Sequence, residues 1–353
     1  MTDAWMVYGA YGYTGRLIVA RAVAAGMKPV VAGRDADKLE SLALEFGLPQ
    51  RCFDVGDVAA LRKGLDGMRA VLNCAGPFSR TASAMISACL QLKVHYLDIT
   101  GEIDVFAYAH SNDSAARKHG IALIPGVGFD VVPTDCLAAM LARELPDANE
   151  LILAFDAGGG PSRGTALTTV EGVGGGGRVR REGQVVRVPL AYKQREFNFA
   201  NGRRMAVTIP WGDVYTAFVS TGIPNIEVYM SMSTRAISGM RKLRWFAPLL
   251  TLAPAQWLLK RQVSAGVSGP TPERRATTQS QVYGEVRNAA GQRRAATLVT
   301  PNGYDLTAIA AVEIAEFLVK DRRIHAGYFT PSTLMGADFV TTLPGVEYAR
   351  VNL

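Results

Sequence analysis

Residues 9–15, Gly9-Ala10-Tyr11-Gly12-Tyr13-Thr14-Gly15, set glycines at a G-x-x-G-x-x-G spacing between an apolar run at 5–8 and a stretch of helical periodicity over 16–25. Strand, glycine turn and helix in that order make a pyrophosphate site. The first glycine permits a tight turn, the second lets backbone N–H groups approach the phosphates, and the third lets the helix sit close to the strand. The positive end of the helix dipole then faces negative charge. Thr14, within the turn, is a candidate cofactor contact, as are Tyr11 and Tyr13, which are placed either to flank a cofactor or to pack on the domain surface.

The next apolar run ends in Gly33-Arg34-Asp35. An acidic residue at such a tip selects a ribose 2′-hydroxyl, whereas an arginine pairs with a 2′-phosphate. Arg34 therefore favours NADP(H). Asp35 points the other way unless it caps the helix that starts in Ala36-Asp37-Lys38-Leu39, a structural duty for which it is well placed. Further along, Asn73-Cys74-Ala75-Gly76-Pro77-Phe78 ends a third apolar run, and Asn73, Ala75, Gly76 and Pro77 are expected on the nicotinamide side. Gly101 and Gly128 end later runs at the same rim, with Gly128 counted as a cofactor contact. Asp98, Glu102 and Asp130 bring carboxylates there, and Glu102 and Asp130 are the candidate proton donors or acceptors. The competing assignment for Asp130 and Asp135 is the capping of turns and of a helix over 136–145.

Other chemistries find less support. None of the twelve tyrosines is followed by a lysine four residues later, which removes the short-chain dehydrogenase site. Gly160-Pro161-Ser162-Arg163-Gly164 is a formal G-x-S-x-G, but only His325 lies downstream as a base and Pro161 restricts the residue before it. Anion binding by Ser162, Arg163 and Thr165 at a helix start suits the segment better. His95, His110, His119 and His325 show no metal-ligand spacing, and Cys52, Cys74, Cys89 and Cys136 form no C-x-x-C pair, so neither a metal nor a disulfide framework is expected.

These residues need a scaffold, and the 353-residue chain is long enough for two domains. Apolar runs at 5–8, 29–32, 70–73, 94–97 and 121–124 alternate with helical stretches such as Leu17, Ala20 and Ala24. Strands without polar alternation are covered on both faces, so the fold class is α/β: a Rossmann-type doubly wound parallel sheet. From Leu151 glycine clusters and alternating segments at 184–188 and 205–209 announce an inserted α+β domain, and after Pro301 a helical pattern resumes with Asp305 as N-cap. The expected domains are 1–135 for the nucleotide, 136–300 for substrate and dimer contacts, and 301–353 as a return to the first domain.

Charge is uneven. Residues 151–300 hold 20 Lys and Arg against 8 Asp and Glu, within a chain of net charge +7. No nucleic-acid signature accompanies them, so an anionic small substrate or a membrane surface fits better than nucleic acid. The segment 245–259, WFAPLLTLAPAQWLL, is flanked by Arg241, Lys242, Arg244, Lys260 and Arg261. It is shorter than the ~20 residues a bilayer-spanning helix needs. It reads equally as a peripheral membrane contact or as a buried or dimer-contact segment. The N-terminus lacks a basic region followed by an apolar one, so the expected location is the cytoplasm, with peripheral membrane contact as an option.

Taken together, GAYGYTG, AGRDADKL, Asn73 to Phe78, Tyr96-Leu97-Asp98-Ile99-Thr100-Gly101-Glu102, Gly126-Val127-Gly128-Phe129-Asp130 and the closing Gly303-Tyr304-Asp305-Leu306-Thr307-Ala308 resemble the saccharopine dehydrogenase-like oxidoreductases, most of all their trans-acting enoyl reductase branch. The resemblance implies an NADP-binding Rossmann domain, an inserted domain with substrate and dimer contacts, and a C-terminal return. The resulting expectation is hydride transfer to or from a carbonyl, imine or activated alkene, with a lipid-like enoyl substrate in view. The rivals are an NADP-binding redox sensor without turnover and a saccharopine-type amino-acid dehydrogenase.

Overall fold

The computed structural model describes residues 4–158, 160, 162, 164, 175–244, 269–321, 323 and 325–352. The chain divides into two compact units, Met1–Val132 with Tyr304–Met335, and Pro133–Gly303 with Gly336–Leu353.

The first unit is built on β1 (Trp5–Tyr8), β2 (Val30–Gly33), β3 (Gln50–Cys52), β4 (Ala70–Asn73), β5 (His95–Asp98), β6 (Ala122–Ile124) and β15 (Gly327–Tyr328). They form one parallel sheet in the order β15-β6-β5-β4-β1-β2-β3. Every residue of β1, β2 and β4 is buried, as the unbroken apolar runs require of a sheet covered on both faces. Helices α1 (Tyr13–Ala24), α2 (Ala36–Phe46), α3 (Val58–Leu65), α4 (Phe78–Leu92), α5 (Ile103–Ser111) and α6 (Asp113–His119) fill the crossovers. The expected Rossmann-type sheet is present. Its strand order reverses between β1 and β4, and a doubly wound sheet binds ligands outside its carboxyl ends at that reversal.

The second unit starts with α7 (Val132–Glu144) and β7 (Ala148–Asp156). It continues through β8 (Gly177–Arg181), β9 (Gln184–Val188), β10 (Gln194–Phe199), β11 (Gly202–Thr208), α8 (Asp213–Thr221), β12 (Asn225–Ser231), α9 (Thr234–Leu243), α10 (Pro272–Thr277), β13 (Gln279–Asn288) and β14 (Arg293–Pro301). Its mixed sheet has the order β10-β11-β12-β7-β13-β14-β16, with β16 being Glu347–Arg350. Leu137 and Leu141 of α7 pack on one face at Gly284. On the other face Phe197, Phe199, Tyr229 and Tyr283 form a buried aromatic cluster. Helix α11 (Gly303–Lys320) leads back into the first unit.

Several boundaries differ from the sequence reading: the first unit's leading stretch ends at Val132 rather than 135, α1 begins at Tyr13 rather than 16, and α7 begins at Val132 rather than 136, which puts Asp135 inside its first turn. The return to the first unit ends at Met335, and Gly336–Leu353 joins the second unit because β16 pairs antiparallel with β14. Asp305 lies inside the first turn of α11 rather than at its N-cap, since the helix already begins at Gly303.

Candidate functional site: a dinucleotide crevice

Gly9 leaves β1 with φ +76°, a left-handed conformation that favours glycine, and a Cβ there would stand 2.9 Å from the Ala75 nitrogen. The turns after β1 and β4 therefore touch. A Cβ at Gly15 would meet the Gly9 carbonyl oxygen at 2.4 Å, so the third glycine is what lets α1 begin so close to the strand. Gly12 is the N-cap of α1 without a side-chain cap, and its N–H donates to Gly9 O at 3.0 Å. Tyr13, Thr14 and Gly15 supply amides of the first helical turn, the groups that a pyrophosphate takes at a helix start. This small-residue cradle fits a dinucleotide.

Tyr11 turns towards β2. Its hydroxyl accepts the backbone N–H groups of Arg34 and Asp35, each at 3.3 Å. Asp35 caps α2 by accepting the Lys38 N–H at 3.2 Å and pairs with Lys38 Nζ at 2.5 Å. Those contacts with Lys38 hold its carboxyl below the usual carboxylate range. Arg34 is exposed, and its ion contact is Asp54 at 4.0 Å. The tip thus presents an arginine while its acidic neighbour is engaged in capping. Tyr13 faces the other way, with its ring edge on Tyr304 at 5.0 Å.

Asn73 is fully buried and works on the backbone of the β4 turn. It accepts the Ala75 N–H at 3.0 Å and donates to Thr81 Oγ1 at 3.0 Å, while Thr81 donates to Ala75 O at 2.8 Å. Both backbone groups of Ala75 are therefore fixed. Gly76 is exposed, and Pro77 is the N-cap of α4. Cys74 lies beside them, and burial pushes its thiol far above the ordinary range, away from thiolate chemistry.

The carboxylates after β5 and β6 divide by environment. Asp98 is buried and raised to about 6, chiefly by burial; it accepts from Tyr96 Oη at 2.6 Å and from the N–H groups of Thr100 and Gly126. Glu102 lays its two oxygens on the N–H groups of Phe78 and Ser79, both at 2.8 Å, at the start of α4. Asp130 is half-buried against Gly101, where a Cβ would lie 3.0 Å from Oδ2, and burial raises its carboxyl to about 7. Gly128 packs on Thr307, whose Oγ1 accepts the Phe129 N–H at 2.9 Å.

Thr307, Thr81 and Tyr96 escaped the sequence reading as site residues. Thr307 was visible only as part of the segment 303–308, because its partner lies 178 positions away in sequence. Ser162 is buried, whereas Pro161, Arg163 and Thr165 lie outside the described residues, as does the apolar segment 245–259. Among the described residues no group of three or more His, Cys, Asp or Glu could hold a metal ion, and no helix is long and apolar enough to cross a membrane.

Residues 5–123 match the family described as saccharopine dehydrogenase NADP binding domain. A saccharopine dehydrogenase-like oxidoreductase of Bos taurus is 30% identical over 151 residues, covering 37% of this chain and 35% of the relative. A Mycobacterium tuberculosis protein whose name carries the words trans-acting enoyl reductase is 28% identical over 188 residues, 47% of this chain and 43% of that one. The chain thus aligns with well under half the length of these relatives. Among solved structures, saccharopine dehydrogenase (L-Glu forming) from Saccharomyces cerevisiae superposes with a TM-score of 0.67 at 10% identity, covering 99% of this chain and 100% of that one, which is a likeness of fold.

Proposed function

We propose that the chain, whose residues 5–123 match the saccharopine dehydrogenase NADP binding domain, is an oxidoreductase of that kind and transfers hydride between NADP(H) and a carbonyl, imine or activated alkene. When bound, the nicotinamide supplies the hydride chemistry, and the chain's residues bind, orient and move a proton. The amides of Tyr13, Thr14 and Gly15 hold the pyrophosphate, and Arg34 takes the 2′-phosphate as a charge-assisted pair. Asn73 and Thr81 fix the turn over 74–77 on the nicotinamide side.

The observation that carries the reading is Asp130, a carboxyl raised to about 7 by burial at the carboxyl end of the parallel sheet. Reduction of a C=O, C=N or C=C bond needs a proton beside the hydride, and a group titrating near neutrality can donate it or take it back. Glu102 acts through α4 by holding Phe78 and Ser79, which makes it a positioning residue. A lipid-like enoyl substrate is favoured by the mycobacterial relative's name and by the cationic second unit, to which we also assign homodimer contacts. Peripheral membrane contact through 245–259 belongs to the same reading, and flotation with anionic liposomes tests it.

The pure protein should oxidise NADPH with one class in a panel of ketones, imines and enoyl thioesters, followed by nicotinamide absorbance. Asp130→Asn should lower kcat by about 100-fold or more while leaving dinucleotide affinity unchanged. NADPH binding without turnover of any class would favour the redox sensor instead, and an unchanged kcat in the variant would remove Asp130 from the chemistry.

A further inference from the structure

Beside the β13–β14 hairpin of the second unit's sheet lies a cavity of about 460 Å³ that the dinucleotide reading does not use. Its lining is charged: Arg195, Arg287 and Arg293 against Glu150 and Glu285, over the side chain of Ile152. The sheet register explains the grouping. Arg287 of β13 stands directly opposite Arg293 of β14 and, on its other side, opposite Glu150 of β7. Two like charges facing each other across a strand pair are destabilising unless something negative lies between them. A register shift between Arg287 and Asn288 sits at this point, and such irregularities re-aim side chains.

Glu285 builds the site from below. Nine-tenths buried, it holds Arg195 at 2.6 Å, accepts from Tyr283 Oη at 2.8 Å and lies 3.6 Å from Arg293. Its Oε2 thus takes Arg195 and Tyr283 while its Oε1 faces Arg293, so the one carboxylate holds two guanidiniums. Each guanidinium carries five N–H donors in a planar fork, so Arg195 and Arg293 keep further donors beyond those that Glu285 uses. Asn288 stiffens the adjoining hairpin by accepting the Gln292 N–H at 2.9 Å and donating to Asp147 at 2.8 Å.

We propose that this cavity is a second ligand site that binds a small-molecule oxyanion, a phosphate ester or a polycarboxylate, between Arg287 and Arg293. Planar guanidiniums, that of Arg293 held by the buried carboxylate of Glu285 and that of Arg287 set opposite it by the strand register, are suited to bidentate recognition of such groups. The site lies wholly within the second unit and is independent of the nucleotide crevice.

Calorimetric titration of the full chain with inorganic pyrophosphate, with citrate, and with sodium chloride at matched ionic strength tests this. We expect saturable binding of pyrophosphate or citrate above the chloride control, weakened at least tenfold by Arg287→Gln and by Arg293→Gln. Gly12→Val, which obstructs the nucleotide crevice, should leave that binding intact. Response to pyrophosphate alone assigns a phosphate ester, and to citrate alone a polycarboxylate. Heats no greater than those of chloride, or binding lost in Gly12→Val but kept in Arg287→Gln, would overturn the proposal. Protection of Arg287 and Arg293 from phenylglyoxal by the same anions, read by mass spectrometry, checks the location without any variant. NADPH affinity should be the same in both arginine variants, so failure here is distinguishable from failure of the dinucleotide reading.

Discussion

The ring of Tyr11 rests against Gly33, so closely that a Cβ at Gly33 would stand 2.4 Å from ring carbon Cε1. Together with the two backbone N–H groups that the Tyr11 hydroxyl accepts, this locks the first glycine turn to the tip of β2. Arg34, proposed above for the 2′-phosphate, is thus positioned by the loop proposed for the pyrophosphate. Gly33→Ala should push the ring aside, destabilise the protein by about 1–3 kcal/mol and weaken NADPH binding. Adding Tyr11→Ala should remove most of that overlap, so a double-mutant cycle in urea unfolding should show strong non-additivity. Additive effects would mean that the two residues do not share the space.

Glu102→Gln separates positioning from catalysis. The variant keeps one acceptor oxygen and turns an NH2 donor towards the N–H groups at the start of α4, so a stability loss of about 1–3 kcal/mol is expected. KM for the dinucleotide should rise more than kcat falls, with the pH profile unchanged. A kcat loss of 100-fold or more with intact cofactor affinity would make Glu102 a proton-transfer group.

Asp130 carries a pH signature of known sign. Burial raises its carboxyl to about 7 in the folded chain, from about 3.9 in an unfolded one. Between those values the folded state keeps a proton that the unfolded state has released, so stability falls as pH rises through the window. The ceiling of this effect is about 4 kcal/mol, reduced by solvent at a half-buried position. Asp130→Asn should therefore gain stability over the parent between pH 4 and 8 in urea melts. In the direction that reduces the substrate, the parent's rate should fall above about pH 7. Parallel stability curves for the two proteins would contradict the raised carboxyl.

The sheet and the glycine turn were legible because they rest on backbone demands. Unbroken apolar runs mark doubly covered strands, and Gly9 and Gly15 mark places where a Cβ collides, while one at Gly12 would sit tightly at 3.1 Å from the Gly9 carbonyl oxygen. What escaped lacks such a mark. Strand β3 is three residues long, largely exposed and at the sheet edge, and β16 is a solvent-facing strand without apolar periodicity, so its unit was misplaced. Side-chain partners are less legible still. Glu102 and Asp130 look alike as rim carboxylates, but the first meets N–H groups 24 and 23 positions away while the second is set by burial.

On the reading proposed above, the crevice takes NADP(H) through the Gly9–Gly12–Gly15 turn and Arg34. Fluorescence titration of the pure protein and of its Arg34→Asp variant with NADPH and with NADH tests it most directly. The parent should bind NADPH at least tenfold more tightly than NADH, and Arg34→Asp should weaken NADPH selectively by removing a charge-assisted pair and adding repulsion. Equal affinities in the parent, or equal changes for both dinucleotides in the variant, would contradict it.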